Sequence, residues 1–330
     1  MTQQKIAPVV LLGYHRPELT AEVFETIRKA QPRQLFLVMD GPNPAVLGDA
    51  ALVSRTRAVV ELVDWKCDVR KIYAPHNLGL KKRVYSGLNQ VFAEVDYAIV
   101  LEDDCLPSDD FFQYCSELLA LYDSDEKVGI VSGASRFRGR QVTNYSYDFS
   151  EDVRIWGWAT WGRTWNTFAD SGDIHGVWTR QDAKRLSQKF PRGARRKAMF
   201  KMLTASGDLD SWALPFAVHC RQRGYLNAVP EKNLVTNIGL GPSSTHTKFE
   251  SYVAEVDREK LGFPLRHPGE VKLNPAMDEV ESRLDAAQLY LYPLVHPWDT
   301  FGRLFRYFKH QIFGKKSPRV RTRASLFDVD

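Results

Sequence analysis

Tyr97-Ala98-Ile99-Val100-Leu101 runs straight into Glu102-Asp103-Asp104, and Cys105-Leu106-Pro107 follows at once. Five apolar residues with no polar alternation read as a strand buried on both faces of a parallel sheet. The carboxyl end of such a strand is where open α/β sheets place their ligands. Three adjacent carboxylates repel one another unless they neutralise or share a cation. Hard oxygen donors of this kind suit Mg²⁺ or Mn²⁺, completed by substrate phosphates and water. The competing reading is a solvated acidic turn, but such a turn does not need an apolar strand driving into it.

Working outward, the preceding chain alternates strands and helices. Pro8-Val9-Val10-Leu11-Leu12 reads as a buried strand, and Pro17 opens a helix at its favoured first position, with Leu19, Val23, Phe24 and Ile27 facing inward. Gln34 to Met39 is a second strand, stopped by Asp40-Gly41-Pro42-Asn43-Pro44, a turn signal that carries one carboxylate. A helix is expected from Ala45 to Val63, a short strand at Lys71-Ile72-Tyr73-Ala74, a turn at Asn77-Leu78-Gly79 and a helix from Leu80 to Phe92. This βαβαβαβ order predicts a parallel sheet with helices on both faces.

The chain has 330 residues, 44% of them hydrophobic and 12% aromatic, enough for a full core in one large or two ordinary domains. No uninterrupted apolar stretch of about 18 residues occurs. The amino terminus, Met1-Thr2-Gln3-Gln4-Lys5, leads into the first strand without an apolar signal region, so the expectation is a cytoplasmic protein. Cys67, Cys105, Cys115 and Cys220 form no Cys-x-x-Cys pair, which points away from a disulfide framework or a zinc site. The net charge of +5 is unevenly spread. Nine Lys/Arg lie between Arg180 and Lys201 against Asp182 alone, and eight lie between Arg303 and Arg323 with no acid. The first patch reads as a solvated helical face or as a surface that attracts an anion.

Dinucleotide-binding proteins share this element order, but no Gly-x-Gly-x-x-Gly follows the first strand and no phosphate-cradling Gly-x-x-x-x-Gly-Lys-Ser/Thr occurs. Gly13-Tyr14-His15-Arg16-Pro17 stands in that place instead. Phosphate charge must then be met by side chains and metal, for which Arg16 and the acidic triplet are available.

His15-Arg16-Pro17, Asp40-Gly41, Asn77-Leu78-Gly79 and Leu101-Glu102-Asp103-Asp104, the last followed by Pro107-Ser108-Asp109-Asp110-Phe111-Phe112, together resemble the nucleotide-sugar half of a GT-A glycosyltransferase. Within that superfamily the chain is most similar to bacterial family 2-like enzymes and, more distantly, to N-acetylglucosaminyltransferase I. The resemblance covers residues 7 to 250. It implies a Rossmann-like, mostly parallel sheet flanked by helices, with a GT-A domain over 1–260 and a helical carboxy-terminal extension over 261–330. The domain would divide into a nucleotide-sugar half, 1–110, and an acceptor and catalytic half, 111–260.

By the same resemblance, Asp104 would ligate Mn²⁺ or Mg²⁺ directly, while Asp103 and Glu102 hold ribose, donor sugar or metal-bound water. Asp40 would receive the base, uracil, through its N3–H, and Arg16 would lie against the nucleotide or its diphosphate. Each has a plainer reading: Arg16 pairs with a local carboxylate, Asp40 stabilises its turn, and Asn77 and Gly79 form a turn.

The second half should supply the chemistry. Inverting glycosyl transfer needs a carboxylate base for the acceptor hydroxyl, and Ser206-Gly207-Asp208-Leu209-Asp210-Ser211-Trp212 offers Asp208 and Asp210. Asp210, two residues before Trp212, matches the family's base-carrying segment and is the candidate base; alternatively it caps the helix that Trp212 opens. Ile155 to Trp165 carries four tryptophans and two glycines and resembles the family's Gly-Trp loop, with Trp158 the candidate donor contact. Indole faces pack on sugar C–H faces, but they also fill cores. In Asn237 to Thr247, His246 is the candidate second metal ligand, against the reading of a plain surface histidine.

Beyond Phe301, the residues Leu304, Phe305, Phe308 and Ile312 recur at helical spacing, with basic residues on the other face. Such a helix over 299–323 fits a peripheral contact with the inner membrane face, about 1 kcal/mol per basic residue near an anionic leaflet, or ordinary docking. The function expected is a metal-dependent, inverting glycosyltransferase that moves a sugar, GlcNAc-like by resemblance, from a UDP-sugar to a glycan or lipid-linked acceptor. The alternatives are a non-catalytic sugar-nucleotide-binding homologue and a sugar nucleotidyltransferase, which would need a glycine-rich, Arg-bearing loop where Tyr14 to Pro17 stands. No nucleic-acid partner is expected.

Overall fold

In a computed structural model of the chain, residues 5–190, 194–205, 210–239 and 256–290 are described. The chain divides into two compact units, Met1–Asp285 and Ala286–Asp330. The expected basic helix over 299–323 lies outside the described residues, among which no helix is long and apolar enough to cross a membrane.

The first unit begins with β1 (Val9–Gly13), α1 (Pro17–Ala30), β2 (Gln34–Met39), α2 (Asp49–Val60), β3 (Asp68–Tyr73), α3 (Leu80–Phe92) and β4 (Tyr97–Glu102). There follow β5 (Cys105–Pro107), α4 (Phe111–Leu121), β6 (Val128–Ser132), β7 (Tyr147–Ser150), β8 (Trp158–Trp161) and α5 (Gly162–Ser171). A 3₁₀ turn (Asp173–His175) leads to α6 (Arg180–Ser187), α7 (Ala194–Ala205), α8 (Ala213–Arg223), β9 (Leu226–Pro230) and β10 (Val235–Asn237), while α9 (Pro275–Tyr290) runs past the end of the unit.

Eight strands form one sheet in the order β3-β2-β1-β4-β8-β6-β9-β7. β2 and β4 flank β1, β3 pairs with β2 and β9 with β6, all in parallel; β8 is antiparallel to both β4 and β6, and β7 to β9. The result is the mostly parallel α/β sheet that the sequence leads one to expect.

Period-two alternation sends the strands' side chains to two separate cores. Val9, Leu11, Leu35, Leu37, Ile99 and Leu101 join Val23, Phe24 and Ile27 of α1 and Phe111 and Leu118 of α4 on one face. Val10, Leu12, Phe36, Val38, Ala98 and Val100 join Val84, Leu88 and Val91 of α3 on the other, with Trp158, Trp165, Trp212 and Phe216. Because both faces are covered, these strands lack a polar side and read as continuous apolar runs.

The order places a switch point between β1 and β4. From β1 the chain moves outward through α1 to β2 and on to β3; from β3 it returns through α3, on the opposite face, to β4 beyond β1. Ligand crevices of doubly wound sheets open at the carboxyl ends of two such strands. Here those ends carry Tyr14-His15-Arg16 and Glu102-Asp103-Asp104.

Candidate active site

The two loops meet. Arg16 is the residue before α1, whose first position is taken by Pro17, and it caps the helix only through its carbonyl, which accepts from Thr20 N at 2.9 Å and Thr20 Oγ1 at 2.7 Å. Its side chain turns to the acids. Nη1 donates to Asp104 Oδ2 at 2.9 Å, Nε to Asp103 Oδ2 at 3.4 Å, and Nη2 to Asp103 Oδ1. Tyr14 N adds a contact to Asp103 Oδ2 at 3.3 Å. Asp104 Oδ1 lies 3.4 Å from Asn237 Nδ2, and its main-chain oxygen accepts from Ile238 N at 2.8 Å. A Cβ at Gly239 would stand 2.4 Å from Asp104 Oδ2, so only a glycine lets this segment press on the carboxylate.

Asp103 and Asp104 are buried, and Glu102 is half-buried at the end of β4. Burial raises the pKa of Glu102, reinforced by the negative charge of Asp104 and Asp103. Burial likewise raises that of Asp103, with Arg16 opposing it. For Arg16, burial disfavours its charge, but Asp103 and Asp104 outweigh that and raise its pKa. The guanidinium is the internal counterion of the acidic turn.

No group of three or more His, Cys, Asp and Glu side chains converges as a metal site among the described residues. The donor set nevertheless fits a divalent cation. Mg²⁺ is commonly held by one or two carboxylates plus substrate phosphates, and the guanidinium straddling Asp103 and Asp104 marks where a cation sits against them. His246 and Asp208 lie outside the described residues.

A second pair of carboxylates lies apart from the first. Asp40, at the end of β2, is 4% exposed. Its Oδ1 accepts from Gly41 N at 2.8 Å and Leu78 N at 2.9 Å, its Oδ2 from Asn77 Nδ2 at 3.0 Å and Gly79 N at 3.2 Å. An ionised carboxylate has about four acceptor positions, and the chain itself fills all of them. An incoming uracil N3–H would have to displace one, so the arrangement is that of the turn-stabilising reading.

Asp210 is exposed, and its two oxygens accept from Leu80 N and Lys81 N, both at 3.0 Å, across 130 and 129 residues of sequence. It therefore caps α3 and not the helix after Trp212, which has no side-chain cap. The expected cap is corrected in its partner: Gly79, with φ +78°, precedes α3 and has no side chain to cap it, so a distant carboxylate does. A Cβ at Gly79 would lie 2.8 Å from Asp210 Oδ2. β2 is two strands from β4, about 10 Å at ordinary strand spacing, and the two carboxylate clusters share no hydrogen bond among those found.

Trp158 is corrected as an open donor contact. It is 0% exposed, with its ring centroid 5.7 Å from that of Trp212 and 5.4 Å from that of Phe216. The expected loop is instead strand β8 and the start of α5, and Trp161 and Trp165 are buried with it. A strand wedged between β4 and β6 has both faces covered, which leaves no indole face for a sugar.

Asp49 went unread in the sequence. It is 1% exposed and accepts from Tyr14 Oη at 2.6 Å, Asn43 N at 2.6 Å and His15 Nδ1 at 2.5 Å, with the Tyr14 and His15 rings stacked at 3.9 Å. A carboxylate only accepts, so His15 Nδ1 carries the proton. The expected helix from Ala45 hid Asp49 in a helix interior, whereas α2 starts at Asp49 behind Gly48, φ +80°. Gly48 was the available clue.

No protein-family model matches this chain, and no curated protein matches it. Among solved structures, it is similar to the 4-diphosphocytidyl-2C-methyl-D-erythritol synthase of Anaerococcus prevotii, at 8% identity and a TM-score of 0.34, over 63% of this chain and 100% of that one. It is also similar to a UDP-glucose pyrophosphorylase complexed with UDP-glucose, at 10% identity and a TM-score of 0.28, over 66% of this chain and 98% of that one. These likenesses assign no role to any residue here. The molecule's own architecture defines its class: an α/β protein with a mostly parallel sheet and a cation-paired carboxylate site at the switch point between β1 and β4.

Proposed function

We propose that this protein is a metal-dependent glycosyltransferase that takes a sugar from a nucleotide diphosphate donor, UDP-linked by resemblance, and passes it to a glycan or lipid-linked acceptor with inversion. The observation that carries this reading is Arg16 bridging Asp103 and Asp104 at the switch point: a cation seat at the sheet edge where such folds hold nucleotides. Asp104 and Asp103 would hold Mn²⁺ or Mg²⁺, which when bound would offset diphosphate charge as the nucleotide leaves. Arg16, released from the carboxylates, would pair with the diphosphate, for which its planar fork is suited.

Asp210 is the candidate base for the acceptor proton. The residue is exposed and each of its oxygens accepts one helix amide, which leaves further acceptor positions on the carboxylate. The amides it caps hold the carboxylate in place.

The test is the thermal shift of wild type with UDP and UDP-sugars, with and without Mn²⁺, beside Asp104→Ala and Asp210→Asn. The expected result is a Mn²⁺-dependent rise in wild type and Asp210→Asn, none in Asp104→Ala, and sugar transfer lost in Asp210→Asn. No response of wild type to any nucleotide would sink the reading, and near-normal transfer by Asp210→Asn would sink the base assignment.

A further inference from the structure

A cavity of about 250 Å³ opens at the same edge of the sheet, lined by three arginines, Arg136, Arg154 and Arg195, and by Asp152, with the carboxylate of Glu281 paired to the first two. Strand register fixes its place. β4 and β6 are both antiparallel to β8, so they run in the same direction, and the residues after Ser132 emerge at the edge that bears Asp103 and Asp104. Trp158 opens β8 opposite both Val100 and Ser132, which brings Arg154 and Trp156, just before it, to that edge too. β6 is two strands from β4, about 10 Å. The cavity is also tied to the acidic turn through the chain: Val235 lines it, and Asn237, two residues further along β10, contacts Asp104.

The arginines are held by carboxylates. Arg136 Nε donates to Glu281 Oε2 at 2.7 Å, Arg154 pairs with the other oxygen of Glu281, and Arg195 pairs with Asp152, to which Arg221 Nη1 also donates at 3.3 Å. The side chains of Arg136, Arg154 and Arg195 are 18%, 10% and 12% exposed. A network that only stapled α7 and α9 to the sheet would gain by closing around its charges, because buried ions recover their hydration only through well-made pairs. This one borders an open cavity, and Arg154 Nε is buried without a hydrogen-bond partner, as are Asp152 Oδ2 and Glu281 Oε1, the latter held to Arg154 by charge alone. A space of this size with charged side chains set into an otherwise apolar wall has room for water or for a ligand. The unpartnered Nε–H of Arg154, in a wall that also holds Arg136 and Arg195, favours an oxyanion, and half-buried Trp156 adds a face for the C–H groups attached to it.

We propose that this cavity is a subsite for an oxyanion, a phosphate or a carboxylate, carried by the acceptor. The word acceptor rests on the transfer reading; the anion site rests on the cavity alone. Of the basic patch between Arg180 and Lys201, Arg195 is the residue turned to this use.

Inorganic phosphate and glucuronate, in separate arms, are titrated by calorimetry into metal-free wild type, Asp104→Ala and Arg136→Gln. At least one anion is expected to bind wild type and Asp104→Ala alike, and to bind Arg136→Gln about tenfold more weakly, the cost of one charged contact. The arm that responds tells a phosphorylated acceptor from an acidic sugar. Because Arg136→Gln also removes one of the two arginines paired with Glu281, phenylglyoxal modification of Arg136 in wild type is followed by peptide mass spectrometry, and the bound anion is expected to slow it. Failure of both anions to bind, or binding that neither weakens in Arg136→Gln nor protects Arg136, overturns the subsite. Nucleotide binding without anion binding would leave the transfer reading standing alone, and anion binding lost in Arg136→Gln without nucleotide binding would leave the subsite standing alone.

Discussion

Two pairs of carboxylates sit at the carboxyl edge of one sheet and are neutralised by opposite means. Asp103 and Asp104 share the guanidinium of Arg16, a side chain on a neighbouring loop. Asp40 and Asp210 share the consecutive backbone amides of Leu78, Gly79, Leu80 and Lys81 at the start of α3. A side-chain cation can be exchanged for another cation. Main-chain amides and a helix dipole cannot be exchanged for anything. The first pair is thus built to change partners and the second is fixed by the main chain, Asp40 in its turn and Asp210 at the start of α3, although both lie at the same edge of the sheet.

The largest effect is expected from breaking the first pair. Arg16→Met leaves two buried carboxylates without their counterion, a loss of about 3–5 kcal/mol. In urea unfolding, Mn²⁺ should restore more stability to Arg16→Met than it adds to wild type, because the guanidinium no longer competes for the seat. An unchanged midpoint, or equal Mn²⁺ effects, would show that Arg16 is not the exchangeable cation.

Breaking the second pair through its backbone should cost less. Gly79→Ala puts a side chain at φ +78° and a Cβ 2.8 Å from Asp210 Oδ2, which should cost about 1–3 kcal/mol. Since nothing here is exchangeable, Mn²⁺ should not recover it. Recovery by Mn²⁺ would merge the two clusters into one.

The smallest effect sharpens the contrast through pH. Burial raises the pKa of Asp49, but the Asn43 amide, Tyr14 and His15 outweigh it, so the net shift is downward. A depressed folded pKa contributes stability that is present above the unfolded carboxylate value, about 3.9, and lost as pH falls through the folded value. Asp49→Asn should therefore cost about 1 kcal/mol near neutrality, and its difference from wild type should shrink as the solution is acidified below about pH 4. A difference that grew on acidification would reverse the sign assigned to Asp49. Asp40 has the opposite shift, raised by burial against the amides of Leu78, Gly41 and Gly79.

How much of this was legible in the sequence depends on where each partner lies. Gln34 to Met39 and Leu80 to Phe92 were read to the residue, because an apolar pattern there meets hard punctuation, Asp40-Gly41-Pro42 at one end and Gly79 at the other. The start of α2 was misread by four residues, at Ala45 for Asp49, since nothing in Ala45-Val46-Leu47 opposes a helix locally. The acidic turn and Arg16 were found because each ends a strand. The cap on α3 was out of reach, for Asp210 lies some 130 residues from its amides, and no local pattern marks a cap delivered by another segment. The tryptophan strand misled because Trp158-Ala159-Thr160-Trp161 is too short to show a period and is covered on both faces.

β10 is a short rod with a different job at each end. Val235 lines the arginine cavity, Asn237 touches Asp104, and both are paired to β5, which the acidic turn leads into. At about 3.3 Å per strand residue, the two ends stand about 7 Å apart on a backbone pinned along its length. If the acidic turn holds the donor and the cavity the anion, as proposed above, that rod fixes the spacing of the two walls, and a compound too short to reach along it could engage one end only.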